Sequence, residues 1–110
     1  MQIERVDVTP RQDVYNPGEV IDIAIYFRSP FNGQCRVGLV PKGHPSGEDF
    51  ERKTFAKSTA TLYEGQLYIK DSNIGTCVLR ATLAPVSGEP RTVAVGAFIF
   101  EVRPLVPTKH

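Results

Sequence analysis

Along residues 20–29, VIDIAIYFRS, apolar and polar side chains alternate. Ile21, Ile23, Ile25 and Phe27 fall on one face, and Asp22, Ala24, Tyr26 and Arg28 on the other. A period of two is the repeat of a strand buried on one side, and β-branched isoleucines fit a pleated surface. Asn16, Pro17, Gly18 and Glu19 precede it as a turn, with proline presetting φ and glycine supplying positive φ.

The same pattern can be followed along the rest of the chain. Residues 2–9 read as a first strand with Val6 and Val8 on one face; Ile3 is out of phase with them, which predicts a bulge. Pro10 ends it, and Tyr15 is expected to plug the core edge during the crossing over 11–19. Asn32-Gly33 is a hairpin signal after the second strand. Residues 34–40 place Cys35, Val37 and Leu39 on one face, and 41–49 (PKGHPSGED) read as an exposed loop. Residues 50–57 predict a short edge strand, its charges at Glu51, Arg52, Lys53 and Lys57 discouraging edge pairing.

Residues 59–70 leave two alternatives open: a hairpin turning at Glu64-Gly65, or one strand broken there by a bulge. Residues 75–84 read as a strand with Cys77, Leu79, Ala81 and Leu83 inward and Val78, Arg80 and Thr82 outward. PVSGEPR, 85–91, is a hairpin loop. The last strand, 92–102, is apolar on both faces: Val93, Val95, Ala97 and Ile99 against Ala94, Phe98, Phe100 and Val102. Residues 104–110 form an extended arm holding Leu105 and Val106 between prolines.

This pattern gives about seven short strands with no helical period, and two packed antiparallel sheets are the stable solution for it. At 110 residues the chain is one domain, 1–103, followed by the arm 104–110. Nine prolines and nine glycines at short intervals reinforce strands and turns over helices. The net charge of +1 gives no electrostatic case for nucleic acid or an anionic membrane. No apolar run approaches the roughly 18 residues of a membrane span. MQIERVDV lacks the order of a signal peptide. The expected location is therefore cytoplasmic or within a virion, and extracellular only if a leader has been removed.

Candidate chemistry is sparse. Cys35 and Cys77 sit inward near opposite ends of neighbouring strands, so free buried thiols are expected rather than a disulfide. His44 and His110 are isolated, Asp71 to Asn73 reads as a turn rather than a calcium loop, and no nucleophile is paired with a base. No enzyme activity, metal or cofactor is expected.

The stretches VTP, VYNPGEVIDIAIYF and GTCVLRATL resemble bacterial immunoglobulin-like modules: CARDB-type adhesion repeats and macroglobulin-like or fibronectin III-like sandwiches. The residues that carry the resemblance are Tyr15, Pro17, Gly18 and Glu19, then Gly75, Thr76, Leu79 and Ala81. The chain departs from true immunoglobulin domains in having no tryptophan and no cysteine in its second strand. The resemblance implies a two-sheet antiparallel immunoglobulin-like sandwich serving adhesion, display or assembly.

The over-apolar last strand is the main functional lead. Only one of its faces can meet the domain core, so its other face must be covered by the chain itself or by a partner. The expected contact residues are Val95, Phe98, Ile99, Phe100, Leu105 and Val106, and the expected partner is protein, through self-association or a host assembly such as a virus capsid. The alternative is an inhibitor or carbohydrate-binding module using the 41–50 loop.

Overall fold

A computed structural model describes residues 3–44 and 50–104, and of 92–97 the backbone alone. Leu105, Val106, the side chain of Val95 and positions 45–49 of the 41–50 loop lie outside the described residues.

The strands are β1 (Ile3–Thr9), β2 (Val14–Tyr15), β3 (Val20–Phe27), β4 (Gly33–Pro41), β5 (Lys53–Thr59), β6 (Leu62–Tyr68), β7 (Gly75–Pro85) and β8 (Arg91–Val102), with one 3-10 turn at Asp71–Asn73. They form one eight-stranded sheet in the order β1-β3-β6-β5-β4-β7-β8-β2. All pairings are antiparallel except that of β2 with β8. The sheet curls into a half-barrel, so side chains from β1, β3 and β6 meet those from β4, β7 and β8 in one core.

β5 produces the curl. Lys53, Thr54 and Phe55 pair with β4, whereas Ala56, Lys57 and Thr59 pair with β6. One strand thus changes neighbour halfway along. Phe55 is the buried residue at the change, and its ring lies over Gly65 of β6. A Cβ at Gly65 would come within 2.3 Å of that ring, so only glycine lets Phe55 in.

The alternation in β3 is as read: Ile21, Ile23, Ile25 and Phe27 are buried and Asp22 is exposed. In β7, Cys77, Leu79, Ala81 and Leu83 are likewise buried. Ile3 joins the core through a register shift between Ile3 and Arg5, the bulge its phase implies.

Two local expectations are corrected. Asn32-Gly33 does not close a hairpin: β3 pairs with β1 and β6, and β4 with β5 and β7. The segment instead crosses between layers, with Phe31 buried and stacked on Phe27 at 5.0 Å. Burying that ring outweighs the local turn preference. The charged 50–57 stretch does hold an edge strand as read, beginning at Lys53: among the described residues 53–55 pair only with β4 and 56–59 only with β6, so β5 ends the ladder of each half. Finally, 59–70 neither turns nor breaks at Glu64-Gly65. β6 runs in unbroken register with β3 through Ile23↔Gly65, and the chain reverses at Ala60 and Thr61.

Cys35 and Cys77 are free and buried. Cys35 faces Leu83 and Cys77 faces Pro41, so the thiols are offset by six positions along β4 (41 − 35). At about 3.3 Å per residue they lie about 20 Å apart, far beyond disulfide reach.

Candidate partner-binding surfaces

The last strand divides its aromatic residues from Ile99. Phe98 and Phe100 point inward, 7 % and 2 % exposed, and belong to the core cluster. They stack on each other at 5.0 Å. Tyr15 sets its edge against both rings, at 6.4 Å from Phe98 and 5.1 Å from Phe100. The Tyr15 hydroxyl donates to the Pro10 carbonyl and accepts from the Gln12 amide at 3.0 Å. The plug expected of Tyr15 is therefore real, and Phe98 and Phe100 are core residues rather than contact residues.

Ile99 points outward and is 48 % exposed. It pairs with Val78 of β7, which in turn pairs with Val40 of β4, giving an apolar row across the outer surface. Between Val78↔Ile99 and Arg80↔Ala94 the register slips, so that Leu79 alone faces residues 95–98. Val95 lies in this irregular stretch, where the sequence's own alternation fails.

Part of the outer surface is covered by the chain itself. The Phe50 ring lies against Gly38, where a Cβ would come within 2.9 Å of it, and Val40 beside it is 1 % exposed. His44 approaches the ring edge-on at 6.1 Å, and the Arg52 guanidinium sits 5.0 Å over its face. Arg52 also donates to the Thr82 hydroxyl at 2.9 Å. This cover stops short of Ile99.

The charges on the two outer surfaces differ in net sign, with Arg5 paired to Asp7 on one and Glu101 paired to Arg103 on the other. Over β4 and β7, Arg36 is exposed and Arg80 half-buried, at outward positions between buried Cys35 and Val37 and between Leu79 and Ala81. Arg52 adds a third cation. Across the core, Asp7, Asp22 and Glu64 ring a depression of about 550 Å³ on the outer surface of β1, β3 and β6, with Ala24 in its lining. Gln66 donates to Asp22 at 2.7 Å and Ser58 to Glu64 at 2.6 Å, while Arg5 lies 3.5 Å from Asp7. Among the described residues no group of three His, Cys, Asp or Glu side chains could hold a metal ion. The net charge of +1 conceals this separation. Comparing the signs of outward positions strand by strand would have exposed it in the sequence.

Burial pushes the Cys35 thiol up to about 12 from an ordinary 9.0, and the Cys77 thiol upward as well. The same cause raises the hydroxyls of Tyr15 and Tyr63. None of these groups is poised as a thiolate or phenolate near neutral pH.

In comparisons with known proteins, no family model, curated protein or solved structure matches this chain.

Proposed function

We propose that the chain is a non-enzymatic interaction module that works as a subunit or decoration protein of a larger assembly, such as a capsid, or as a surface adhesion module. The observation that carries this reading is Ile99, an apolar side chain half open to solvent at the end of a row with Val78 and Val40. Covering Ile99 and half-buried Val78 against a partner removes apolar surface from water, whereas Val40 is already buried.

The fold we assign is an immunoglobulin-like sandwich. Its support is the strand order, which sets β1-β3-β6 against β4-β7-β8, with β5 spanning both and β2 running parallel to β8. The arm 104–110 is the second contact element, since Pro104 and Pro107 leave Leu105 and Val106 little conformational entropy to lose on binding. The 41–50 loop reading is not favoured, because His44 and Phe50 at its two ends pack on each other over the sheet.

The test is sedimentation of the full chain, a version lacking 104–110, and Ile99→Asp, each checked by circular dichroism. Self-association is expected in the full chain and should weaken in both variants, with the fold retained. A full chain that stays monomeric at high concentration and binds no host particle refutes the reading.

A further inference from the structure

We infer that copies of this chain stack head to tail, the acidic outer surface of β1, β3 and β6 of one copy lying on the arginine-bearing outer surface of β4, β7 and β8 of the next. The inference rests on the assembly reading above and names both the partner, a second copy, and the surfaces that meet.

Charge separation makes the two surfaces complementary. Asp7, Asp22 and Glu64 surround a depression on one, and Arg36, Arg80 and Arg52 stand on the other. A two-fold contact pairs a patch with its own copy. Here that would set Arg36 and Arg80 against a second pair of arginines, or Asp22 and Glu64 against a second pair of carboxylates. Like charges across an interface are disfavoured, so the unlike surfaces are the ones that can meet.

The order of groups along the strands also matches. β3 leaves one end of the molecule at Val20, β4 returns to that end at Pro41, and β7 leaves it at Gly75. From that end, the acidic surface presents Val20 beside Tyr68, 46 % and 58 % exposed, then Asp22 beside Gln66, then Ala24 beside Glu64. After Thr76 beside Glu101, the arginine surface presents Val78 beside Ile99, then Arg80 beside Gly38, which the Phe50 ring covers, then Thr82 beside Arg36. Successive same-face positions are about 6.7 Å apart on any strand. A copy translated across the sheet without rotation, and shifted by one such step along the strands, lays Val20 and Tyr68 over Val78 and Ile99. It brings Asp22 towards Arg80 and Glu64 towards Arg36. Such a contact leaves one surface of each kind open at the two ends of the stack, so growth is open-ended.

Two charge-reversed proteins test this: Asp22→Lys with Glu64→Lys, and Arg36→Glu with Arg80→Glu. Each then carries mainly one sign on both surfaces, cationic in the first and anionic in the second; Asp7 and Glu101 remain in the first, and Arg5 and Arg52 in the second. Each alone should sediment as a folded monomer, while an equimolar mixture should associate with the two proteins alternating. Wild-type stacking should also weaken about tenfold or more between about 0.1 M and 1 M salt, as the Debye length falls from about 10 Å to about 3 Å. This salt response decides the matter even where a variant fails to fold. Wild-type association that survives either reversal, is not restored by mixing, or is insensitive to salt overturns the stacking and leaves the assembly reading intact. A wild-type chain that is monomeric throughout overturns both.

Discussion

The ring of Phe55 occupies the space that a side chain at Gly65 would need, with its Cδ1 2.3 Å from the position of a Cβ there. Gly65→Ala must therefore displace a buried ring at the point where β5 changes neighbours. The expected cost is about 1–3 kcal/mol, the range for overpacking a core. In Gly65→Ala combined with Phe55→Leu, which replaces the ring with a smaller aliphatic side chain, the cost of the alanine should shrink. Denaturant titrations that give additive costs for the two changes would show that the residues are not in contact.

Ile23 and Asp22 are adjacent in sequence and opposite in facing: Ile23 is 1 % exposed and Asp22 lies on the outer surface. Ile23→Ala should cost about 2–5 kcal/mol, as truncation of a buried aliphatic side chain does. Asp22→Ala loses one exposed hydrogen bond from Gln66 and should stay within about 0.5 kcal/mol. Equal costs in urea melts would contradict the facing of β3.

The thiols give a pH signature. The folded chain holds the Cys35 proton until pH about 12, whereas an exposed thiol releases it near 9.0. The folded state therefore binds more protons than the unfolded state between these values, and stability falls as pH rises through that window. It is fully present below about pH 9. Cys77, Tyr15 and Tyr63 are shifted in the same direction and add to the slope. Cys35→Ala should flatten the decline without removing it, measured as denaturant midpoint against pH. Reductant should leave the midpoint at neutral pH unchanged, and titration of the unfolded chain should count both thiols; finding neither would mean they are bridged.

What was legible in the sequence was the facing of single strands. β3 and β7 are each buried on one side, so alternation alone fixes which residues meet the core. Pairing was less legible, because it depends on distant segments. The Asn32-Gly33 signal favours a tight turn locally, yet burial of Phe31 against Phe27 and Tyr63 takes the chain across the core instead. β5 reads as an edge from its charges, but nothing in its own pattern shows that it is the edge of two ladders, with Phe55 buried between them. In β8 the choice between Ile99 and the phenylalanines could not be read from alternation, since the register slips beside it. The Phe50 ring that covers Gly38 is supplied from beyond the intervening loop, and a local pattern cannot report that.

The change of partner within β5 also bears on how the protein comes apart. Among the described residues, the ladders of β1, β3 and β6 on one side and of β4, β7, β8 and β2 on the other are joined through this strand alone. Neither half can open its β5 edge without uncovering Phe55, which both halves bury. The β5 amides that bond into either ladder should then exchange with solvent only when the whole molecule unfolds, at the same protection as the centres of β3 and β7. A strand that reads as peripheral from its charges would be the hinge pin of a single cooperative unit.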